Sequence, residues 1–350
     1  MYKRIVIKIG TKVISEQDRL LKNALERIVD QVAELRTKGV DVVVVTSGAV
    51  ATGKGILESS EAGSAPGLVS VFAAVGQVGL MSLYEQLFQK HGLHCAQILV
   101  TKGDFRDRDH YSNMKNSFEN LLRKKIVPVV NENDAISISK LGFTDNDELA
   151  GLIAAQLDAD AVVFLTSVDG VVQEGKVVPE IREEDTASFE RHVSDTKSAG
   201  GRGGMLTKFG IARKLMAQGI AVHIVNGTRE GILVDVVDGK ATGTKFAPTK
   251  KASAVKRRLA YSEGLTMGVA YVDAGAEKVL LSKKSVSLLP VGIKRIEGDF
   301  KKGDTIEIRN AKGKKLGFGV AQYGAAEARE LLGKKGAHAL VHYNYLVIAP

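Results

Sequence analysis

The feature that most limits the fold is an alternation between short aliphatic runs and longer amphipathic ones, repeated through residues 1–230. "RIVIKIG" (4–10), the start of "DVVVVTSGAVATGKG" (41–55), "CAQILVT" (95–101), "IVPVV" (126–130), "AVVFLTS" (161–167) and "IAVHIVN" (220–226) read as strands. The remainder of 41–55, after its aliphatic start, reads as a small-residue loop. Between the strands, "LLKNALERIVDQVAELRTKG" (20–39) repeats Leu21, Leu25, Ile28, Val32 and Leu35 at three- and four-residue steps and stops at Gly39, a helix pattern. "GLVSVFAAVGQVGLMSLYEQLFQKHG" (67–92) reads as a long helix. Strands this apolar are buried on both faces, which requires a parallel sheet covered by helices. The expected fold is α/β, a three-layer α/β/α sandwich with a mainly parallel sheet.

The texture changes after residue 247. "APTKKASAVKRRLAYSEG" is a polar, basic stretch, and beyond it short β-type runs are punctuated by "DAG", "EGD", "KKGD" and "AKGK", which read as turns. The expected division is a first domain over 1–247, a basic linker over 248–265, and a small β-barrel-like domain over 266–350 with one helix around 325–332. The charge follows this division. Residues 1–247 carry 30 basic and 31 acidic side chains, whereas 266–350 carry 14 and eight, so the net charge of +9 is concentrated near the C-terminus. A basic terminal module suits a polyanionic partner. The single cysteine, Cys95, rules out a disulfide within the chain and fits a reducing compartment. The apolar run in "MYKRIVIKIG" is too short for a signal peptide or a membrane span. A cytoplasmic protein without a membrane partner is the expectation.

The polar residues that carry chemistry cluster at strand ends. "IVPVVNEND" (126–134) runs from a buried strand into two amides and two acids. A turn accounts for such residues, since Asn and Asp bond nearby backbone. So does a ligand site, since open α/β sheets bind beyond the carboxyl ends of their strands. Lys8 interrupts the aliphatic run of the first strand, where charges are rarely buried unpaired, so it either snorkels to an edge or faces the crevice beyond the strand ends. "VTSGAV" (45–50) places Ser47 and Gly48 just past the second strand, where small residues let backbone N–H groups approach a ligand. "FTDNDELAG" (143–151) puts Asp145, Asn146 and Asp147 at the start of a helix, more polar groups than one N-cap needs. "SAGGRGGMLTKFG" (198–210) is a glycine-rich entry to a helix, an arrangement that suits a phosphate, with Lys208 one turn inside. A flexible loop with a surface lysine reads equally from the same residues. "GVVQEGKV" (170–177) imitates a P-loop, but Val177 stands where a hydroxyl must meet magnesium, and a hairpin is the better reading.

Taken together, "VIKIGTKVI", "VTSGAVATG", "AAVGQ", "IVPVVNENDA", "TDNDELA" and "GGMLTK" resemble the amino acid kinase family, in particular its members that phosphorylate L-glutamate. "SLLPVGIKRIEGDFKKGD" is similar to the PUA domain, an RNA-associated β module found behind such kinases. The resemblance covers nearly the whole chain. It implies phosphoryl transfer from ATP, with Mg2+, to the γ-carboxylate of L-glutamate, giving γ-glutamyl phosphate for proline biosynthesis. It also implies that Lys8 and Lys208 touch the transferred group and that Asp147 holds them. Ser47, Asp134 and Asn146, with Lys8, would bind glutamate. Thr166, Ser167 and the loop Arg202, Gly203, Gly204, Met205, Leu206, Thr207 and Lys208 would contact ATP. No dedicated protein metal site is expected. Proline as a feedback inhibitor and a homo-oligomer, dimer or tetramer, belong to the same implication.

Two positions depart from the family pattern. Thr166 is followed by Ser167 where an aspartate is usual, and Arg202 precedes the Gly-Gly-Met triplet where a threonine is usual. Both bear on the nucleotide contacts and leave the reaction class intact. The alternatives are a kinase of the same family with another acceptor, and an RNA-binding protein working through its basic C-terminal module.

Overall fold

The structure is a computed structural model that describes residues 2–17, 19–57, 66–136, 145–186, 189, 204–240, 242–248, 266–282 and 285–348. The chain divides into two compact units, one of residues 1–101 with 114–251, the other of 102–113 with 252–350.

The first unit is built on one eight-stranded sheet. Its strands are β1 (Arg4–Ile9), β2 (Asp41–Val45), β3 (Cys95–Val100), β4 (Val127–Glu132), β5 (Ala161–Thr166), β6 (Glu180–Ile181), β7 (Ala221–Asn226) and β8 (Thr244–Phe246). They lie in the order β6-β8-β7-β5-β1-β2-β4-β3. Every pairing is parallel except β7 with β8. The helices of this unit are α1 (Lys22–Thr37), α2 (Ala49–Ile56), α3 (Pro66–Gln89), α4 (Arg108–Arg123, of which residues 114–123 belong to this unit), α5 (Asn146–Gln156), α6 (Met205–Met216) and α7 (Ile232–Val237). The sandwich expected from the double-sided burial of the strands is the one observed.

The central strand β1 shows how pattern becomes position. Ile5, Ile7 and Ile9 join Leu25, Ile28, Val32 and Leu35 of α1 in one core cluster. Burying each such side chain contributes roughly 1.5–3 kcal/mol. Because side chains alternate along a strand, Lys8 must then point to the opposite face. That face is covered by α5, which packs on β1 and also on α6. The one charged residue inside the strand is thus carried to the helix that bears Asp147.

The residues read as a small-residue loop after β2 are instead a helix, α2. Its sequence "AVATGKGI" has weak intrinsic helix preference, with two glycines and a β-branched threonine. Packing decides the matter. A Cβ at Gly53 would lie 1.9 Å from the carbonyl oxygen of Phe72, and one at Gly76 would lie 1.8 Å from that of Ala49, so α2 and α3 meet backbone to backbone. The P-loop lookalike is a two-residue hairpin, with Val172 opposite Val177. Glu174 and Gly175 at its turn have φ of 51° and 76°, the left-handed pair that such a tight turn uses.

The second unit contains a five-stranded sheet of β9 (Gly268–Val272), β10 (Ile293–Gly298), β11 (Thr305–Asn310), β12 (Lys315–Ala321) and β13 (Val341–Ile348), in the order β10-β9-β11-β12-β13. Ala270, Val272, Phe300, Ile306, Ile308 and Leu340 are among its core residues. The expected helix lies at Ala325–Glu330 (α9). A second one, α8 (Ala274–Leu280), occupies what reads as β-type sequence. The "DAG" there is a helix start, in which Asp273 Oδ1 accepts a bond from the Ala276 N–H at 2.8 Å.

Candidate active site

Four parallel strands, β1, β2, β4 and β5, deliver their carboxyl ends to one edge of the sheet. The N-termini of α5 and α6 supply the rest. At the centre lies Asp147, with no exposed surface. Its Oδ1 is 2.6 Å from Lys8 Nζ, and its Oδ2 is 2.8 Å from Lys208 Nζ. Burying a carboxylate is costly unless it is paired. Here two ammonium groups compensate it, and the helix N-terminus adds a favourable dipole. The three charges form a fixed cluster in which one acid keeps two cations side by side.

Asp145 caps α5, its Oδ1 accepting from the N–H groups of Asp147 at 2.9 Å and Glu148 at 3.2 Å. Its own carboxyl is pushed above the ordinary range, chiefly by burial and then by the charge of Asp147. Gly204 caps α6 in an extended conformation, and its carbonyl accepts from Thr207 at 3.1 Å and Lys208 at 3.3 Å. That tight first turn carries Met205, Leu206 and Thr207 at the mouth of the helix and sets Lys208 toward Asp147. Arg202 and Gly203 lie outside the described residues.

On the other side of β1, Asn146 links the ends of β2 and β4. Its Nδ2 lies 2.8 Å from the carbonyl of Thr46, 3.0 Å from Asn131 Oδ1 and 3.3 Å from Ser47 Oγ. Ser47 precedes Gly48, whose φ of 102° lets the chain turn sharply into α2. Asp134 follows β4, and its carboxyl is pushed up to about 6, first by burial and then by Glu132. Thr166 ends β5, where its hydroxyl donates to the carbonyl of Val168 at 2.8 Å and so shapes the turn, while Ser167 is exposed. The sheet therefore brings Lys8, Ser47, Asp134, Asn146, Asp147 and Lys208 to one edge, and Thr166 and Ser167 stand at the end of β5.

Sequence reasoning does not single out Thr46, Tyr84 or Gln77, and it marks Asn131 only as part of the polar end of 126–134. Strand β4 does not stop at Val130 but continues to Glu132, so Asn131 is buried within the sheet edge. Thr46 and Tyr84 share a buried hydroxyl bond of 2.7 Å beneath Ser47, and burial raises the Tyr84 phenol well above its ordinary range. Gln77 of α3 bonds Asn131. Only the "AAVGQ" stretch hinted at Gln77.

A parallel sheet whose carboxyl edge gathers two lysines on one buried acid beside a glycine-capped helix is an arrangement suited to holding a phosphoryl group. The amino acid kinase family model matches residues 3–226, and the PUA domain model matches 268–342. The chain belongs to the amino acid kinase family. Carbamate kinase from Giardia lamblia bound to AMP-PNP shares the fold at 18% identity, with a TM-score of 0.54 over 71% of this chain and 99% of that one. Among relatives, glutamate 5-kinase of Chlorobaculum tepidum is 47% identical over 100% of this chain and 98% of its own length. That of Bacteroides thetaiotaomicron is 42% identical over 99% of both. Within the family, the chain groups with these glutamate 5-kinases.

Proposed function

We propose that the chain catalyses ATP-dependent phosphorylation of the γ-carboxylate of L-glutamate, the first step of proline biosynthesis. The observation that carries this reading is the Lys8–Asp147–Lys208 cluster at the carboxyl edge of the sheet. A carboxylate acceptor is already ionised at neutral pH and needs no general base. The remaining task is to bring two anions together and to stabilise charge on the transferring group. Lys8 and Lys208 supply that charge, and Asp147 keeps their ammonium groups adjacent. Ser47, Asn146 and Asp134 hold glutamate, with Asp134 facing its α-ammonium. The first turn of α6, with Arg202 and Gly203 before it, and Thr166 and Ser167 at the end of β5 take ATP.

Among the described residues, no group of three or more His, Cys, Asp or Glu side chains could hold a metal ion. Mg2+ would enter as a companion of the nucleotide, as it does where phosphate oxygens and water supply most of its ligands. When bound, it offsets charge on the β- and γ-phosphates. Proline offers the ammonium and α-carboxylate of glutamate, so feedback inhibition at the same residues suits this site. A dimer or tetramer suits the exposed Val71 and Val78 on α3. A reducing, cytoplasmic setting suits a chain whose only cysteine is Cys95.

The test is acyl phosphate formation trapped with hydroxylamine, with ATP and Mg2+, using L-glutamate, L-aspartate and N-acetylglutamate, and ADP release with UMP. Activity confined to L-glutamate is the expected result. Activity with another acceptor would overturn the substrate and leave the phosphate site in place.

A further inference from the structure

We propose that Gln77 is part of the acceptor-substrate site: its Oε1 fixes Asn131, and its free Nε2–H2 group donates to a carboxylate oxygen of the bound substrate. The proposal rests on the reading of this crevice as a carboxylate-phosphorylating site.

The orientation of three amides follows from backbone groups whose roles are unambiguous. The Glu132 N–H donates to Asn131 Oδ1 at 3.0 Å, which identifies that atom as the oxygen. Asn131 Nδ2 must therefore be the atom facing Gln77, at 3.0 Å, and the Gln77 atom it meets must be an acceptor, Oε1. On the other side, the Thr46 carbonyl identifies the donor of Asn146, which also reaches Asn131 Oδ1. The chain Gln77–Asn131–Asn146 thus has one self-consistent arrangement, and in it Gln77 Nε2 is left over. That nitrogen is buried and has no hydrogen-bond partner among the described residues.

Gln77 as a whole is 8% exposed, and Asn131 is 3% exposed. An unmet donor in such a place is costly, so it calls for a partner that the described residues do not supply. The donor's position is fixed by its neighbours. Gly76, the preceding residue, is pressed against Ala49 at the start of α2, next to Ser47 and Gly48. The free N–H pair is therefore held close to the start of that helix and to the strand end that carries Asn131. A substrate carboxylate held by Ser47 and Asn146 is the acceptor that this donor fits. An ordered water is the competing occupant.

Two variants separate the possibilities. Q77E keeps an oxygen for Asn131 but replaces the free donor with a second oxygen. Q77M removes both. Steady-state KM values for the acceptor and for ATP are measured on the full chain, with thermal melting as a check on folding. Calorimetric binding of L-glutamate serves as a readout independent of turnover. The expected result is a rise in acceptor KM of about 10- to 100-fold in both variants, with ATP KM within about twofold of wild type. Acceptor KM and L-glutamate affinity unchanged in Q77E would overturn the proposal, whatever Q77M does, and would assign the site to water. A rise in Q77M alone would reduce Gln77 to a structural support for Asn131. Turnover by the wild type decides the reaction separately. If another carboxylate is the acceptor, the same comparison is made with it.

Discussion

Lys8 Nζ lies 2.6 Å from Oδ1 of Asp147, and the two side chains are almost fully buried on facing elements, strand β1 and helix α5. The pair is not isolated, because the other oxygen of Asp147 meets Lys208 at 2.8 Å. D147N keeps the shape and removes the shared charge. It leaves two cations adjacent and uncompensated, and breaking a buried pair this way costs about 3–5 kcal/mol. The expected outcome is a lower melting temperature together with loss of turnover. A D147N protein with wild-type melting would show that the lysines find other anions.

K8A and K208A each remove one of the two cations proposed to meet the transferring group. Each is expected to lower kcat by about 10²–10³-fold, the scale of a lost electrostatic contact to a transition state. Single-turnover kinetics with saturating ATP and glutamate checks this. Normal turnover in either variant would remove that lysine from the chemistry.

Asp134 gives a pH dependence with a definite sign. Its folded pKa is raised to about 6, so the folded state binds more protons than the unfolded one between the ordinary aspartate value and about 6. This group's contribution to stability therefore falls as pH rises through that window. In the proposed site substrate binding runs the other way, because an ammonium facing Asp134 needs its ionised form. The kcat/KM for glutamate is expected to show an acid limb near pH 6 in wild type. In D134N the limb should vanish along with most of the affinity. An unchanged limb in D134N would assign it elsewhere.

The contact between α2 and α3 has no room for a methyl group. G76A would force a Cβ within 1.8 Å of the Ala49 carbonyl, so the helices must part. Overpacking of this kind costs roughly 1–3 kcal/mol, and here it shifts the residues that flank Ser47 and Gln77. The expected outcome is a lower melting temperature and a higher KM for the acceptor, with ATP KM much less affected. Equal changes in both KM values would point to general loosening.

Chelation gives a further check. If Mg2+ enters with the nucleotide as proposed, excess EDTA is expected to stop turnover without lowering the melting temperature of the nucleotide-free protein. A fall in melting temperature would reveal a structural metal.

The sequence by itself determined the layered α/β architecture, because aliphatic runs without alternation are stable only inside a parallel sheet. It also marked Lys8, Asp147 and Lys208, because a charge in an apolar strand, three polar residues at a helix start and a lysine behind glycines all break local rules. Tertiary structure decided what local preference leaves open. It made a helix of "AVATGKGI", whose glycines count against one until α3 presses against them. It extended β4 to Asn131, whose amide is tolerable inside a sheet only because Glu132, Asn146 and Gln77 satisfy it. It also drew two lysines from opposite ends of the first unit's sequence onto one carboxylate. Local patterns report the environment a residue prefers, whereas the hydrogen bonds and ion pairs that satisfy a buried polar group come from residues distant in the chain, and these are fixed only when the layers pack.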